Sequence, residues 1–92
     1  MNTETAEIMH ILQEECAEVI QSISKIFRFG FKSKWESQTN QNHLEEELGD
    51  LMAMVTLLIA RGIVSEDELE IAAKNKLIKL SKWSNINLTN DK

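Results

Sequence analysis

An all-α fold follows from three features of the 92-residue sequence: it has no proline, only three glycines, and apolar residues at helical spacing in three separate stretches. The expected architecture is a three-helix subunit that forms a four-helix-bundle-type oligomer, because a chain this short builds only a thin core of its own. The first helix is expected over residues 3 to 27 or 28, where Glu4 and Glu7 suit the positive end of the helix dipole and Gly30 offers a left-handed stop. The second is expected from residue 40 or 42 to 61, with Asn40 or Asn42 as N-cap and Gly62 just past the end. The third starts at a capping box, Ser65-Glu66-Asp67-Glu68, and continues to about residue 83. The chain therefore divides into one domain over residues 1–83 and a polar tail over 84–92.

Composition narrows the function classes. With 42% hydrophobic residues and a mean hydropathy of -0.27 the chain is globular and neither disordered nor membrane-bound. The longest apolar run, residues 51–60, is interrupted by Thr56 and is about half the length of a spanning helix. The N-terminus lacks the basic and apolar regions of a signal peptide. A single cysteine, Cys16, excludes an internal disulfide and paired-cysteine zinc motifs, which fits a reducing compartment, so a cytoplasmic location is expected. Ten Lys and Arg against 15 Asp and Glu give a net charge of -5, which argues against a nonspecific nucleic-acid binder. That charge is distributed in blocks: -5 over residues 1–24, +4 over 25–34, -8 over 35–73 and +4 over 74–92.

Each predicted helix carries a charge in its apolar stripe. At about 100° per residue, Ile8, Leu12, Val19, Ile23 and Ile26 form the stripe of the first helix, with Glu15 inside that arc and Glu18 at its border. On the second helix Leu44, Leu48, Leu51, Val55 and Leu58 align, with Glu47 and Asp50 toward the same side as Met54. On the third, Ala73, Leu77, Leu80 and Trp83 are expected to be buried, with Lys76 in the stripe and Lys79 beside it.

A carboxylate withdrawn from water takes up a proton or destabilises the fold, so four of them on facing stripes call for a cation. Hard oxygen ligands without cysteine suit Mg²⁺, for which Mn²⁺ can substitute. The spacings Glu15/Glu18 and Glu47/Asp50 are both i, i+3, which puts each pair on one side of its helix, a turn apart. A solvated acidic face accounts for any one of these residues alone. It does not account for all four, because the positions opposite the stripe already hold acids such as Glu45 and Glu46.

The segment Glu14-Glu15-Cys16-Ala17-Glu18, followed after 28 residues by Glu47-Leu48-Gly49-Asp50, resembles the EExxE and ExxD motif pair of the MazG-like all-α nucleoside triphosphate pyrophosphohydrolases. The likeness covers roughly residues 8 to 84, including Lys25, Arg28-Phe29-Gly30, Ala72-Ala73, Lys76, Lys79 and Lys82-Trp83, as in the short single-domain members often found in bacteriophages. It implies that Glu15, Glu18, Glu47 and Asp50 bind Mg²⁺, with Glu14 a supporting or lesser ligand, while a water attacks the α-phosphorus of a nucleoside or deoxynucleoside triphosphate. The products would be a monophosphate and pyrophosphate. Phosphoribosyl-ATP pyrophosphohydrolase and dimeric dUTPase share the ancestral site and stand as alternative relatives.

In this scheme a metal must bridge a carboxylate-lined cavity and a substrate with nearly four negative charges. Lys76 and Lys79 are expected to neutralise the departing pyrophosphate, with Lys25, Arg28 and Lys82 next in line. Phe27, Phe29, Phe31 and Trp35 cluster at the end of the first helix and in the long connection after it, where they can stack a base or cap the core. Asn40 and Asn42 can read base edges or cap the second helix. A purine substrate such as dGTP, in a phage nucleotide pool, is the expectation drawn from that loop and the phage likeness.

Other chemistries fit less well. The Glu7-x-x-His10 spacing suits a di-iron bundle, but His43 has Asn40 three residues earlier and the second such pair is missing. A helical module binding RNA or an acidic partner through Lys74, Lys76, Lys79 and Lys82 is the non-enzyme alternative, although these lysines spread over more than half of the helix circumference. A homo-oligomer, dimer or tetramer, is expected because residues 51–60 are apolar around nearly the whole helix.

Overall fold

The computed structural model describes residues 1–88, so the last four residues of the expected polar tail lie outside the described part. In chain order it has α1 (Thr3–Phe29), a hairpin of β1 (Lys34–Trp35) and β2 (Gln38–Thr39), α2 (Asn40–Ala60) and α3 (Glu66–Trp83). Asn2 caps α1, its side-chain oxygen accepting from the Thr5 amide at 2.7 Å. Gly30 ends the helix with φ 92° and ψ 162°, an extended conformation at positive φ that glycine adopts without strain, rather than the left-handed helical one expected.

The connection expected as a plain loop is partly ordered as a two-stranded antiparallel ribbon, with Lys34 opposite Thr39 and Trp35 opposite Gln38. Its turn holds Glu36 at φ 58°, an unusual conformation for a residue with a side chain. The ribbon fixes the start of α2 and corrects its expected cap. Thr39 is the N-cap: its hydroxyl accepts from the Asn42 amide at 3.0 Å, and the Asn42 side chain accepts from the Thr39 amide at 3.4 Å. Asn40 is thereby released from capping. It is only 3% exposed, and its Nδ2 donates to the Gly30 carbonyl at 3.0 Å. The Asn40 and Gln41 amides donate to Ser33 O and Phe31 O, so the whole connection is stitched to the first turn of α2.

At the far end α2 stops in a Schellman motif, with Gly62 at φ 68° donating to Ile59 O and Ile63 donating to Leu58 O. Ser65 caps α3 by accepting from the Glu68 amide at 3.3 Å, as the capping box predicts.

The helices α1 and α2 form an antiparallel pair. Gly30 at the end of α1 meets Asn40 at the start of α2, and Arg61 beyond α2 lies 3.6 Å from Glu4 in the first turn of α1. Ile8 and Leu58 are the buried apolar residues among those described, and Leu12, Val19, Ile26, Leu44, Leu51 and Val55 are half-buried around them. Ser22 is buried in place of the expected Ile23, because the packed face of α1 follows positions 8, 12, 15, 19, 22 and 26.

The third helix departs from expectation. Of its predicted stripe only Leu80 is half-buried, while Ala73 is exposed, Leu77 is 53% exposed and Trp83 84%. It packs substantially on neither α1 nor α2, the one major helix pair being α1 with α2. The apolar stripes of α1 and α2 are turned to each other, which leaves the stripe of α3 uncovered among the described residues. The Cα radius of gyration is 16.1 Å, against about 12 Å for a compact chain of this length.

Since Asn40 ties the end of α1 to the start of α2 through one buried amide, Asn40→Ala should lower stability by about 1–3 kcal/mol in urea unfolding. Stability unchanged by this substitution would show that the amide plays no such part.

Candidate functional site

The packing of α1 on α2 brings an acidic cluster together. Glu15 lies on the face of α1 that meets α2, one turn from Leu12 and Val19, and Glu47 occupies the matching face of α2 between Leu44 and Leu51. Both are half-buried, and Asp50, one turn beyond Glu47, is exposed at the edge of the seam. One carboxylate oxygen from each of Glu15, Glu47 and Asp50 lies within 4.8 Å of the others. Glu14 and Glu18, on the exposed flank of α1, are outside this close group, but their charges reach it.

Electrostatics set this cluster apart from a solvated acidic face. The Glu15 carboxyl is raised above its ordinary value by desolvation first, then by the charges of Asp50 and Glu18, a hydrogen bond with Asp50 and the charge of Glu14. Glu47 is raised by desolvation, a hydrogen bond with Asp50, and the charges of Glu18, Asp50 and Glu15. In each case lost water and neighbouring negative charge make the ionised form costlier, and among the described residues no ion pair offsets this. The three carboxylates supply hard oxygen donors alone, converging from two helices, and such a set can hold a divalent cation. Neither His10 nor His43 belongs to the group, so the di-iron pairing finds no support in the geometry.

The expected cations are distributed differently. Lys76, Lys79 and Lys82 lie on the exposed α3, and within this chain no ion pair joins them to the carboxylates among the described residues. Lys25 and Arg28 lie near the end of α1, where with Phe29, Lys34, Trp35 and Asn40 they line a cavity of about 360 Å³ against the hairpin. Lys25 Nζ stands 4.1 Å over the Trp35 ring and the Arg28 guanidinium 4.9 Å over Phe29. His43 packs against the same indole, ring centroids 5.1 Å apart, and its buried Nε2 has no hydrogen-bond partner.

Sequence reasoning missed Lys34 and the role of His43 beside Trp35. The signal available for Lys34 was the charge block over residues 25–34, which contains no acid.

The raised carboxyls give the metal-free protein a defined pH response. A carboxyl with a folded pKa above its unfolded value binds more protons when folded, so stability falls as pH rises through the window from 4.5 up to the raised values and is not regained above it. In EDTA the unfolding midpoint should therefore be higher at mildly acidic pH than at neutral pH, and added divalent cation should remove most of the difference. Urea titrations in EDTA that show stability increasing across that window would refute this.

Comparison with known families matches a model of the MazG nucleotide pyrophosphohydrolase domain to residues 3–83, a span that begins with α1 and ends with α3. Neither the curated proteins nor the solved structures gave a match. Together with the helices and the carboxylates that close on one another between them, that span establishes that the chain belongs to the MazG nucleotide pyrophosphohydrolase domain family.

Proposed function

We propose that the protein is a divalent-metal-dependent pyrophosphohydrolase that converts nucleoside or deoxynucleoside triphosphates and water to the monophosphates and pyrophosphate. The observation that carries this reading is the convergence of Glu15, Glu47 and Asp50 within 4.8 Å on the α1/α2 seam, where two of them bind protons more tightly than ordinary carboxylates. Glu15, Glu47 and Asp50 would hold Mg²⁺ or Mn²⁺, with Glu18 and Glu14 completing the negative field from the flank. When bound, the cation supplies charge neutralisation and a lowered water pKa. A carboxylate of the cluster left free of metal takes the proton of the attacking water. The water oxygen bonds to the α-phosphorus, and the bond from that phosphorus to the bridging oxygen breaks, its electron pair leaving on pyrophosphate.

The reading includes Lys25, Arg28, Trp35 and Asn40 as substrate-side residues, Asn40 chiefly by holding the connection in place. It covers triphosphates as a class rather than dGTP in particular, since Trp35 and Phe29, two of the four aromatics behind the purine expectation, already carry Lys25 and Arg28 on their faces. A cytoplasmic setting in a bacterium or phage-infected host belongs to the same reading. No helix among the described residues is long and apolar enough to cross a membrane.

Self-association completes the proposal. The third helix exposes Leu69, Leu77 and Trp83 along one side and Ile71 and Ile78 along the opposite one, and a second copy would cover the first of these stripes in forming a bundle core. Lys76, Lys79 and Lys82 would then be placed by the assembly rather than by the isolated chain.

Three measurements check these statements. A panel of triphosphates should yield pyrophosphate in Mg²⁺ and none in excess EDTA; release of orthophosphate, or undiminished turnover in EDTA, would contradict the proposal. Glu47→Gln should lower kcat/KM at least about 100-fold, as loss of a ligand exceeds loss of the groups behind it, and should leave the metal-free protein as stable or more stable. Glu45→Gln should change little, because Glu45 is exposed and its Oε1 only accepts from Asn42 at 3.2 Å. Sedimentation should find at least a dimer at micromolar concentration, and a stable 10.6 kDa species would remove self-association.

A further inference from the structure

The cavity at the hairpin end of the α1/α2 pair gathers positive charge with nothing to neutralise it. Lys25 and Arg28 come from the last turns of α1 and Lys34 from β1, and none of them pairs with a carboxylate among the described residues. Like charges brought together in this way repel one another, and an anion between them relieves the repulsion. Two of the three are also held in place. The indole of Trp35 sits beneath Lys25 Nζ and the Phe29 ring beneath the Arg28 guanidinium, contacts that orient a cation without cancelling its charge.

The same contacts make the cavity a poor site for a base. Stacking on Trp35 would require displacing Lys25 from the ring, and the indole is also in contact with His43. The aromatic rings therefore act as platforms for the cations.

Position along the helices relates this cavity to the acidic cluster. Asn40 precedes Glu47 by seven residues on α2 and Lys25 follows Glu15 by ten on α1, which puts the cavity about 10–15 Å along the helix axes from the cluster. Cavity and cluster thus lie along one seam, at a distance that a triphosphate and the long side chains of Lys25 and Arg28 can bridge together.

Resting on the pyrophosphohydrolase reading, we propose that the Lys25–Arg28–Lys34 cavity binds the β- and γ-phosphates of the substrate and then the departing pyrophosphate. The α-phosphorus is then at Glu15, Glu47 and Asp50, and the nucleoside extends along the seam away from the hairpin. The electron pair that leaves with the bridging oxygen develops charge on the side of the metal cluster that faces these cations, where they stabilise it.

The test uses inorganic pyrophosphate as the probe, in EDTA, with the full chain carrying Trp83→Phe so that Trp35 is the sole indole. Pyrophosphate should change Trp35 emission in a saturable way, because an anion on Lys25 lowers the charge held against the indole, and guanosine and thymidine should not. Lys25→Met, and separately Lys34→Met on the exposed strand, should each weaken pyrophosphate about tenfold, the effect of one lost charged contact. Lys34→Met leaves the helix packing untouched, so its result holds even if a change on α1 disturbs folding. Glu47→Gln should leave pyrophosphate binding intact while abolishing turnover. Saturable quenching by nucleosides, or no response to pyrophosphate, or a response indifferent to both lysines, would overturn the assignment. Pyrophosphate binding in a protein that turns over no triphosphate would instead uphold the cavity and defeat the enzymatic reading.

Discussion

Mutual repulsion among Glu15, Glu47 and Asp50 is the constraint around which the rest of the molecule is arranged. Two of these carboxylates occupy positions on the packed faces of α1 and α2 where an apolar residue would add to the core. The helices nevertheless meet there, so each carboxyl loses water and feels its neighbours, and both glutamates hold protons more tightly than usual. A fold that retains such a cluster gives up stability at the site, and a divalent cation bound there would restore it.

The remainder of the α1/α2 pair holds that cluster in register. At one end, Asn40, the Thr39 cap and the backbone bonds from residues 40 and 41 clamp the hairpin to α2. At the other, the Schellman turn at Gly62 ends α2 near the start of α1, where Arg61 faces Glu4. Between these ends charge changes sign, from acids at mid-helix to Lys25, Arg28 and Lys34 at the hairpin. A polyphosphate chain that needs metal at one point and cations farther along fits such an axis.

How much of this was legible in the sequence depended on the range of the interactions. Helical periodicity alone put Glu15 and Glu47 in the apolar stripes, and capping chemistry located Ser65, because both are set by neighbours a few residues away. The hairpin was not legible: two-residue strands carry almost no alternation, and Glu36 at positive φ is not a residue from which a tight turn is read. The sequence does not single out Thr39 as the cap because Asn40 and Asn42 are equally good cap residues, and it is the Asn40 bond to Gly30 and the Asn42 bond to the Thr39 amide that take those two out of the role. The stripe on α3 is present in the sequence, but periodicity says which face is apolar and not what will cover it. In the structure that stripe is left exposed.

Calorimetric titration of Mn²⁺ into the nucleotide-free protein at mildly acidic pH, in buffers of different ionisation enthalpy, addresses the acidic cluster most directly. If Glu15, Glu47 and Asp50 form a metal site, binding should be saturable and accompanied by proton release, since the two raised glutamates must give up protons to become ligands. Asp50→Asn should weaken the binding and reduce the protons released. A protein that takes up no Mn²⁺, or binds it without proton release and without regard to Asp50→Asn, would contradict the account.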